Sequence, residues 1–258
     1  MGKKPLNAES VNTNGKRKTG LGVTHYSWEE VMNDIRFHFT KLTPAQVITL
    51  TPEMAVRSWD DGNFRRIIDE AKIVVADGVG VQWGESKITG RKTSKIPGVE
   101  LSERALDELN KISGKLYLLG GKPEVVREAS ERLSIRFPRI TVSGFRDGYF
   151  HESEEGEIVK KIAETGPHLL LVGMGSPKQE IFISSHLKDL NCAVAIGCGG
   201  SIDIISGYIK RAPAFFRKTG TEWFWRILSQ PGERIKRLPV LWRFFIAVLL
   251  NKFPIRRD

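Results

Sequence analysis

The stretch Leu169-Leu-Leu-Val172-Gly173-Met-Gly175-Ser-Pro177-Lys178-Gln179-Glu180 passes from four apolar residues through a glycine turn into a helix start. A short, uninterrupted apolar run closed by glycine reads as a strand buried on both faces. The same unit recurs along the chain. Ile73–Ala76 runs into Asp77-Gly78, Leu116–Leu119 into Gly120-Gly121, and Ala193–Ile196 into Gly197-Cys198-Gly199-Gly200. Gln46–Leu50 and Ile140–Ser143 add two further strands. Helices are expected over Gly98–Ile112, Pro123–Phe137, Glu154–Glu164 and Lys178–Leu187, with Pro123 where a first helical turn tolerates it. Strands alternating with helices predict an α/β, Rossmann-like, mainly parallel sheet with helices on both faces.

The remainder of the 258 residues flanks this body. Its 40% hydrophobic content supplies a core without disulfides. Cys192 and Cys198 show neither a ligand-like pairing with histidine nor a disulfide framework. The net charge of +10 is uneven: residues 1–20 carry +4, residues 207–258 carry +9, and residues 21–206 carry −3. The chain thus divides into a disordered basic arm (1–20), an α/β body (21–206) and a basic, aromatic, helical tail (207–258). The start has no apolar core of a secretory signal. Leu238–Phe253, interrupted by Arg243 and Asn251, is too short for a clean membrane span and reads as an interfacial helix. Tail cations interleave with aromatics such as Tyr208, Trp223, Trp225 and Trp242. That pattern suits nucleic acid, through phosphate contact and stacking, or a membrane interface. The apolar run Phe244–Leu250 favours the membrane, so nucleic acid is not an expected partner.

In open α/β sheets, ligands bind outside the carboxyl ends of the strands. Glycines there let backbone N–H groups approach phosphate, and a following helix N-terminus adds positive potential. The turns at Gly120, Gly175 and Gly199-Gly200 suggest a nucleotide site, while each alone is equally an ordinary tight turn. No G-x-G-x-x-G or Walker A sequence is present, which disfavours NAD binding and ATP hydrolysis. Asp77, ending a buried strand, suits a general base or a cap on the next helix. Thr51-Pro52-Glu53 brings a hydroxyl and a carboxylate to the same rim, or supplies an N-cap with a first-turn acid. Lys178 in a first helical turn opposes the dipole and calls for an anion. Gln179 offers both donors and acceptors to sugar hydroxyls.

The ordered set Thr51-Pro52, Val75-Ala-Asp77-Gly78, Tyr117-Leu-Leu-Gly120-Gly121, Gly148-Tyr149-Phe150, Gly173 to Glu180, Gly197 to Asp203, Lys210-Arg211-Ala-Pro213 and Gly220-Thr-Glu222-Trp223 resembles the WecG/TagA/CpsF glycosyltransferase family, from about Gly20 to about Arg237. The resemblance implies a Rossmann-type inverting transferase that uses neither metal nor cofactor. It moves a hexose or N-acetylhexosamine, N-acetylmannosamine in the best-studied type, from a UDP-sugar to a polyprenyl-diphosphate-linked sugar in bacterial cell-surface polysaccharide synthesis. It implies Asp77 as general base, Thr51 and Gln179 lining the sugar, and Gly120, Gly148, Tyr149, Gly175, Lys178, Gly199 and Gly200 about the nucleotide. Arg226, Arg234 and Arg237 of the tail would close over the diphosphate. Glu53 and Lys95 stand at substrate-binding positions where the family usually has Asn and Arg. Lys keeps the charge but loses the guanidinium fork. Asp60-Asp61 is read as a loop pair and not as the D-x-D of metal-dependent transferases. The expected partners are the donor, the lipid acceptor, the membrane surface through the tail and a second copy of the chain. The expected location is cytoplasmic, on the inner face of the plasma membrane. The alternative is a non-catalytic module on a degenerate transferase fold that binds anionic lipid or nucleic acid.

Overall fold

The computed structural model describes residues 20–209 and 238–251, the backbone of Ser10–Val11 and Arg17–Lys18, and the single positions Pro213, Phe216, Trp225 and Gly232. In chain order the elements are β1 (Ser10–Val11), β2 (Arg17–Lys18), α1 (Trp28–Lys41), β3 (Ala45–Leu50), α2 (Pro52–Asp60), α3 (Gly62–Glu70), β4 (Ile73–Ala76), α4 (Gly78–Thr89), α5 (Gly98–Lys111), β5 (Lys115–Gly120), α6 (Pro123–Arg136) and β6 (Thr141–Arg146). There follow α7 (Glu155–Thr165), β7 (Leu169–Gly173), α8 (Lys178–His186), β8 (Val194–Gly197), α9 (Ser201–Ile205) and α10 (Leu238–Leu250). In the arm expected to be disordered, β1 and β2 pair antiparallel, Ser10 with Lys18 and Val11 with Arg17.

Six strands form one parallel sheet in the order β4-β3-β8-β7-β5-β6. Side chains alternate across it, and both faces are buried. Val47, Val75, Leu116, Leu118, Leu169, Leu171 and Ile196 meet α1, α5, α6 and α9. Ile48, Leu50, Val74 and Ala76 meet α2 and α3. Tyr117, Leu119, Leu170, Val172 and Ala195 meet α7 and α8. This double burial is why the strands read as unbroken apolar runs. The β4 edge is covered by the chain at Thr24 and His25, whose amides both donate to the Val74 carbonyl at 3.0 and 3.2 Å. A covered edge offers no template for pairing with another chain.

The strand connections fix where a ligand can sit. From β5 the chain moves outward to β6, while from β7 it moves the other way to β8. A crevice opens at such a switch point, at the carboxyl ends of the strands.

Helices α1 to α4 go beyond the four body helices read from periodicity. Ser27, Thr51 and Asp61 cap the first three, accepting from the amides of Glu30, Met54 and Phe64. Asp60-Asp61 is therefore not a loop pair: Asp60 closes α2 and Asp61 starts α3. Helix α4 is masked in sequence by Gly78, Gly80 and Gly84, since glycine disfavours a helix interior. Gly84 makes a seat for α10, and Gly80 lets α4 approach α2. A Cβ on Gly84 would lie 3.0 Å from Phe244 and 3.2 Å from Val248, and one on Gly80 would lie 2.8 Å from Pro52. Phe244, Ala247 and Val248 bury one face of α10 against α2 and α4, with Phe244 stacked 6.1 Å from Trp59. Among the described residues, no helix is long and apolar enough to cross a membrane.

Candidate active site

The rim has two ends. At the β3/β4 end, Asp77 follows β4 and stands at the N-cap position of α4. Its N–H donates to the Leu50 carbonyl of β3 at 2.9 Å. Its carboxylate makes no capping hydrogen bond. Instead Oδ2 lies over the start of α5, 3.6 Å from where a Cβ on Gly98 would be, and Thr49 Oγ1 is 3.1 Å from the same point. Thr51, one strand over, caps α2 by accepting from the Met54 amide at 3.3 Å. The alternative cap role thus holds for Thr51 and fails for Asp77. Glu53 lies half-buried in the first turn of α2. Lys95, also half-buried, sits between two pinned amides: Ser94 donates to Tyr26 at 2.8 Å and Ile96 to Ala76 at 2.9 Å. The structure brings Thr51, Asp77 and Lys95 to the carboxyl ends of β3 and β4.

The β5–β8 end is a floor of backbone. A Cβ on Gly120 would lie 2.4 Å from the Gly173 carbonyl oxygen, and one on Gly173 would lie 2.8 Å from that of Gly199. A Cβ on Gly148 would lie 3.2 Å from the Gly120 Cα. Gly121 N–H donates to Gly173 at 3.1 Å, and Gly148 N–H to Gly121 at 3.0 Å. Four turns therefore touch main chain to main chain at the crevice. Gly175 and Gly200 complete its margin, with Gly175 at φ +76° and no atom near its missing Cβ. Tyr149 stands beside the floor, 69% exposed.

Two predicted site residues are differently engaged than their types suggest. Gln179 is 4% exposed. Its Oε1 accepts from the Gly199 amide at 3.1 Å and its Nε2 donates to Glu180 at 2.6 Å. The amide is turned inward and holds a turn. Lys178 carries its ammonium 4.8 Å from the centre of the Phe150 ring, a cation–π contact. Arg226, Arg234 and Arg237 lie outside the described residues.

Several groups at the rim escaped the sequence reading. Lys122, just past Gly121, donates to the Tyr208 hydroxyl at 3.3 Å. Asp203 lies near it; burial raises its carboxyl above the usual range and the Lys122 charge opposes the rise. Glu180 is almost fully buried, and burial raises its carboxyl while contacts with Gln179 and Ser176 oppose the rise. Both acids stand inside the quoted motifs, three positions after Gly200 and one after Gln179, so their place was visible although their burial was not. A cleft of about 330 Å³ opens between β5, β6 and α7, lined by Tyr117, Arg146, Glu154, Glu157, Ile158 and Lys161. Its charges pair with each other, Lys161 with Glu157 at 2.7 Å and Arg146 with Glu154 at 3.3 Å. Among the described residues, no group of three His, Cys, Asp or Glu side chains is arranged to hold a metal.

Residues 17–258 match the model of the glycosyl transferase WecG/TagA/CpsF family. The chain belongs to this family. Two relatives are similar over most of their length. An N-acetylglucosaminyldiphosphoundecaprenol N-acetyl-beta-D-mannosaminyltransferase of Bacillus spizizenii is 33% identical over 209 residues, 81% of this chain and 80% of that protein. Its namesake in Bacillus subtilis is 31% identical over 205 residues, 80% and 79% respectively. As a WecG/TagA/CpsF glycosyltransferase, the chain carries its rim residues on the α/β fold that the sequence predicted.

Proposed function

We propose that this glycosyltransferase moves N-acetylmannosamine from its UDP derivative to N-acetylglucosaminyl-diphospho-undecaprenol, with inversion at the transferred carbon. The observation that carries the reading is the position of Asp77: a carboxylate at the end of a buried strand, engaged over the start of α5 and not in capping its own helix. Three strand spacings separate β4 from β7, about 14 Å at roughly 4.8 Å each. A nucleoside diphosphate on the glycine floor can present its sugar toward Asp77 across that span. The names of the relatives supply the sugar and the lipid acceptor.

In this mechanism Asp77 accepts the proton of the acceptor hydroxyl. The hydroxyl oxygen bonds to C1 of the sugar as the bond from C1 to the β-phosphate oxygen breaks. That electron pair leaves with UDP. Backbone N–H groups of the floor and cations from the tail, Arg226, Arg234 and Arg237, stabilise the charge that develops there. Thr51 borders the sugar, Gln179 acts from beneath by holding the Gly199 turn, and Glu53 and Lys95 adjust which sugars fit.

On this reading, an undecaprenyl-linked acceptor calls for work at a membrane surface. Helix α10 supports peripheral association: opposite its buried face, Trp242, Phe245, Ile246, Leu249 and Leu250 form an exposed apolar stripe, with Trp242 at 64% and Leu250 at 60%. An apolar stripe beside cations suits the headgroup boundary of anionic lipid.

The test is a donor screen with a short-chain polyprenyl-diphosphate-N-acetylglucosamine acceptor and EDTA present. UDP release with UDP-N-acetylmannosamine, and product of the β configuration, are expected. No UDP release from any UDP-N-acetylhexosamine overturns the reading.

A further inference from the structure

Glu180 is a buried titratable side chain that the proposed reaction does not use. It follows Gln179 in the first turn of α8 and is 2% exposed. Its Oε1 accepts from Gln179 Nε2 at 2.6 Å, and Gln179 Oε1 accepts from the Gly199 N–H at 3.1 Å. Its own carbonyl accepts from Gln46 Nε2 at 3.0 Å, which ties this turn of α8 to β3. Gly197 makes room for the pair. A Cβ there would lie 2.8 Å from Gln179 Nε2 and 3.0 Å from Glu180 Oε1.

The polarity of this relay is dictated by its ends. A backbone N–H only donates, so the Gln179 oxygen must face Gly199 and its NH₂ must face away. The two ends of a glutamine amide have nearly the same shape, so packing alone does not choose between them. An acceptor opposite the NH₂ does choose, and Glu180 supplies it. Were the amide reversed, its NH₂ would meet the Gly199 N–H and the turn would lose its tie.

We propose that Glu180 is a positioning residue: its carboxyl orients the Gln179 amide, which holds Gly199 and thereby the Gly197–Gly200 turn under the donor's diphosphate. The last step rests on the reading of the glycine floor as the nucleotide's seat. Burial favours the neutral acid. In that form the carboxyl still offers an oxygen to Gln179 and adds no negative charge beneath the diphosphate.

The test compares Glu180→Gln, which keeps an acceptor oxygen, with Glu180→Met, which keeps the length and removes it. Glu180→Ala stands in if the Met variant does not fold. Amide hydrogen exchange in the ligand-free protein reads the relay directly. In Glu180→Met the Gly199 amide exchanges at least tenfold faster while the β7 amides keep their rates. The KM for donor rises about tenfold, the equivalent of one hydrogen bond, and kcat changes less than threefold. Glu180→Gln stays within threefold of wild type in all three. Wild-type exchange at Gly199 in the Met variant, or equal damage in Gln and Met variants, overturns the relay. Faster exchange with an unchanged donor KM overturns instead the reading of the floor as the donor's seat.

Discussion

At the β3/β4 end of the rim, Thr51, Asp77 and Lys95 present side chains, each fixed by main-chain bonds about it. At the β5–β8 end, Gly120, Gly148, Gly173 and Gly199 bring four turns into main-chain contact, and side chains are excluded by the close approach. The two ends make opposite demands on sequence. Where a side chain does the work, an isosteric change keeps the fold and removes the chemistry. Where backbone does the work, one added methyl group alters the fold itself, and any chemical loss follows from that.

The sharpest contrast is expected at Asp77. Asp77→Asn keeps the shape at the start of α4 and removes the base. Turnover should fall by about 10²–10⁴-fold, the usual contribution of general-base catalysis. The melting temperature should stay within about 2 °C, because no core contact is lost. UDP affinity should be unchanged, since the floor lies strands away. Near wild-type turnover would break the comparison at its side-chain end.

The floor should respond in the other order. In Gly120→Ala the new methyl group would fall 2.4 Å from the Gly173 oxygen, at a φ of +127°. Backbone cannot yield as a flexible side chain does, so a loss of more than about 2 kcal/mol is expected in chemical denaturation. UDP affinity should fall with it. Gly175→Ala is the control: φ is +76° but no atom lies within 4 Å. Only the left-handed strain remains, about 1 kcal/mol. Equal losses at the two glycines would mean that conformation, and not close approach, shapes the floor.

How much of this was readable in the sequence follows the same division. Strands buried on both faces announce themselves as apolar runs, so β3, β4, β5, β7 and β8 were legible nearly residue for residue. The glycines were legible as turns, but that Gly120 touches Gly173 depends on β5 lying beside β7, and strand order leaves no local mark. Gln179 was read as facing a sugar because amides usually face polar ligands or water. Its burial depends on Gly197, 18 positions away, leaving a gap for it. Helix α10 is apolar around most of its circumference, so its own sequence did not say which face is buried. Gly84 decides that, from a helix far away in the chain.

The smallest expected effect concerns how α10 is tied to the side-chain end, since it leans on α2 and α4, the helices that begin at Thr51 and Asp77. In sequence Arg243 is the charge that interrupts the apolar stretch Leu238–Phe253. In the structure it forks onto Asp60 at the end of α2, with Nη2 2.7 Å from Oδ1, and its guanidinium lies 6.0 Å from the Trp59 ring centre. Both partners are largely exposed, so the pair is screened, and Arg243→Ala should cost less than about 1 kcal/mol. The hydrogen bond from Arg243 lowers the Asp60 pKa below its ordinary 3.8. A folded-state pKa that is lowered stabilises above the unfolded value and stops doing so as pH falls through the folded one. The gap between wild type and variant should therefore be constant at neutral pH, narrow in acid below that point, and shrink with added salt. A much larger gap at pH 7 would mean that this ion pair, and not Phe244 in its glycine seat, anchors the helix.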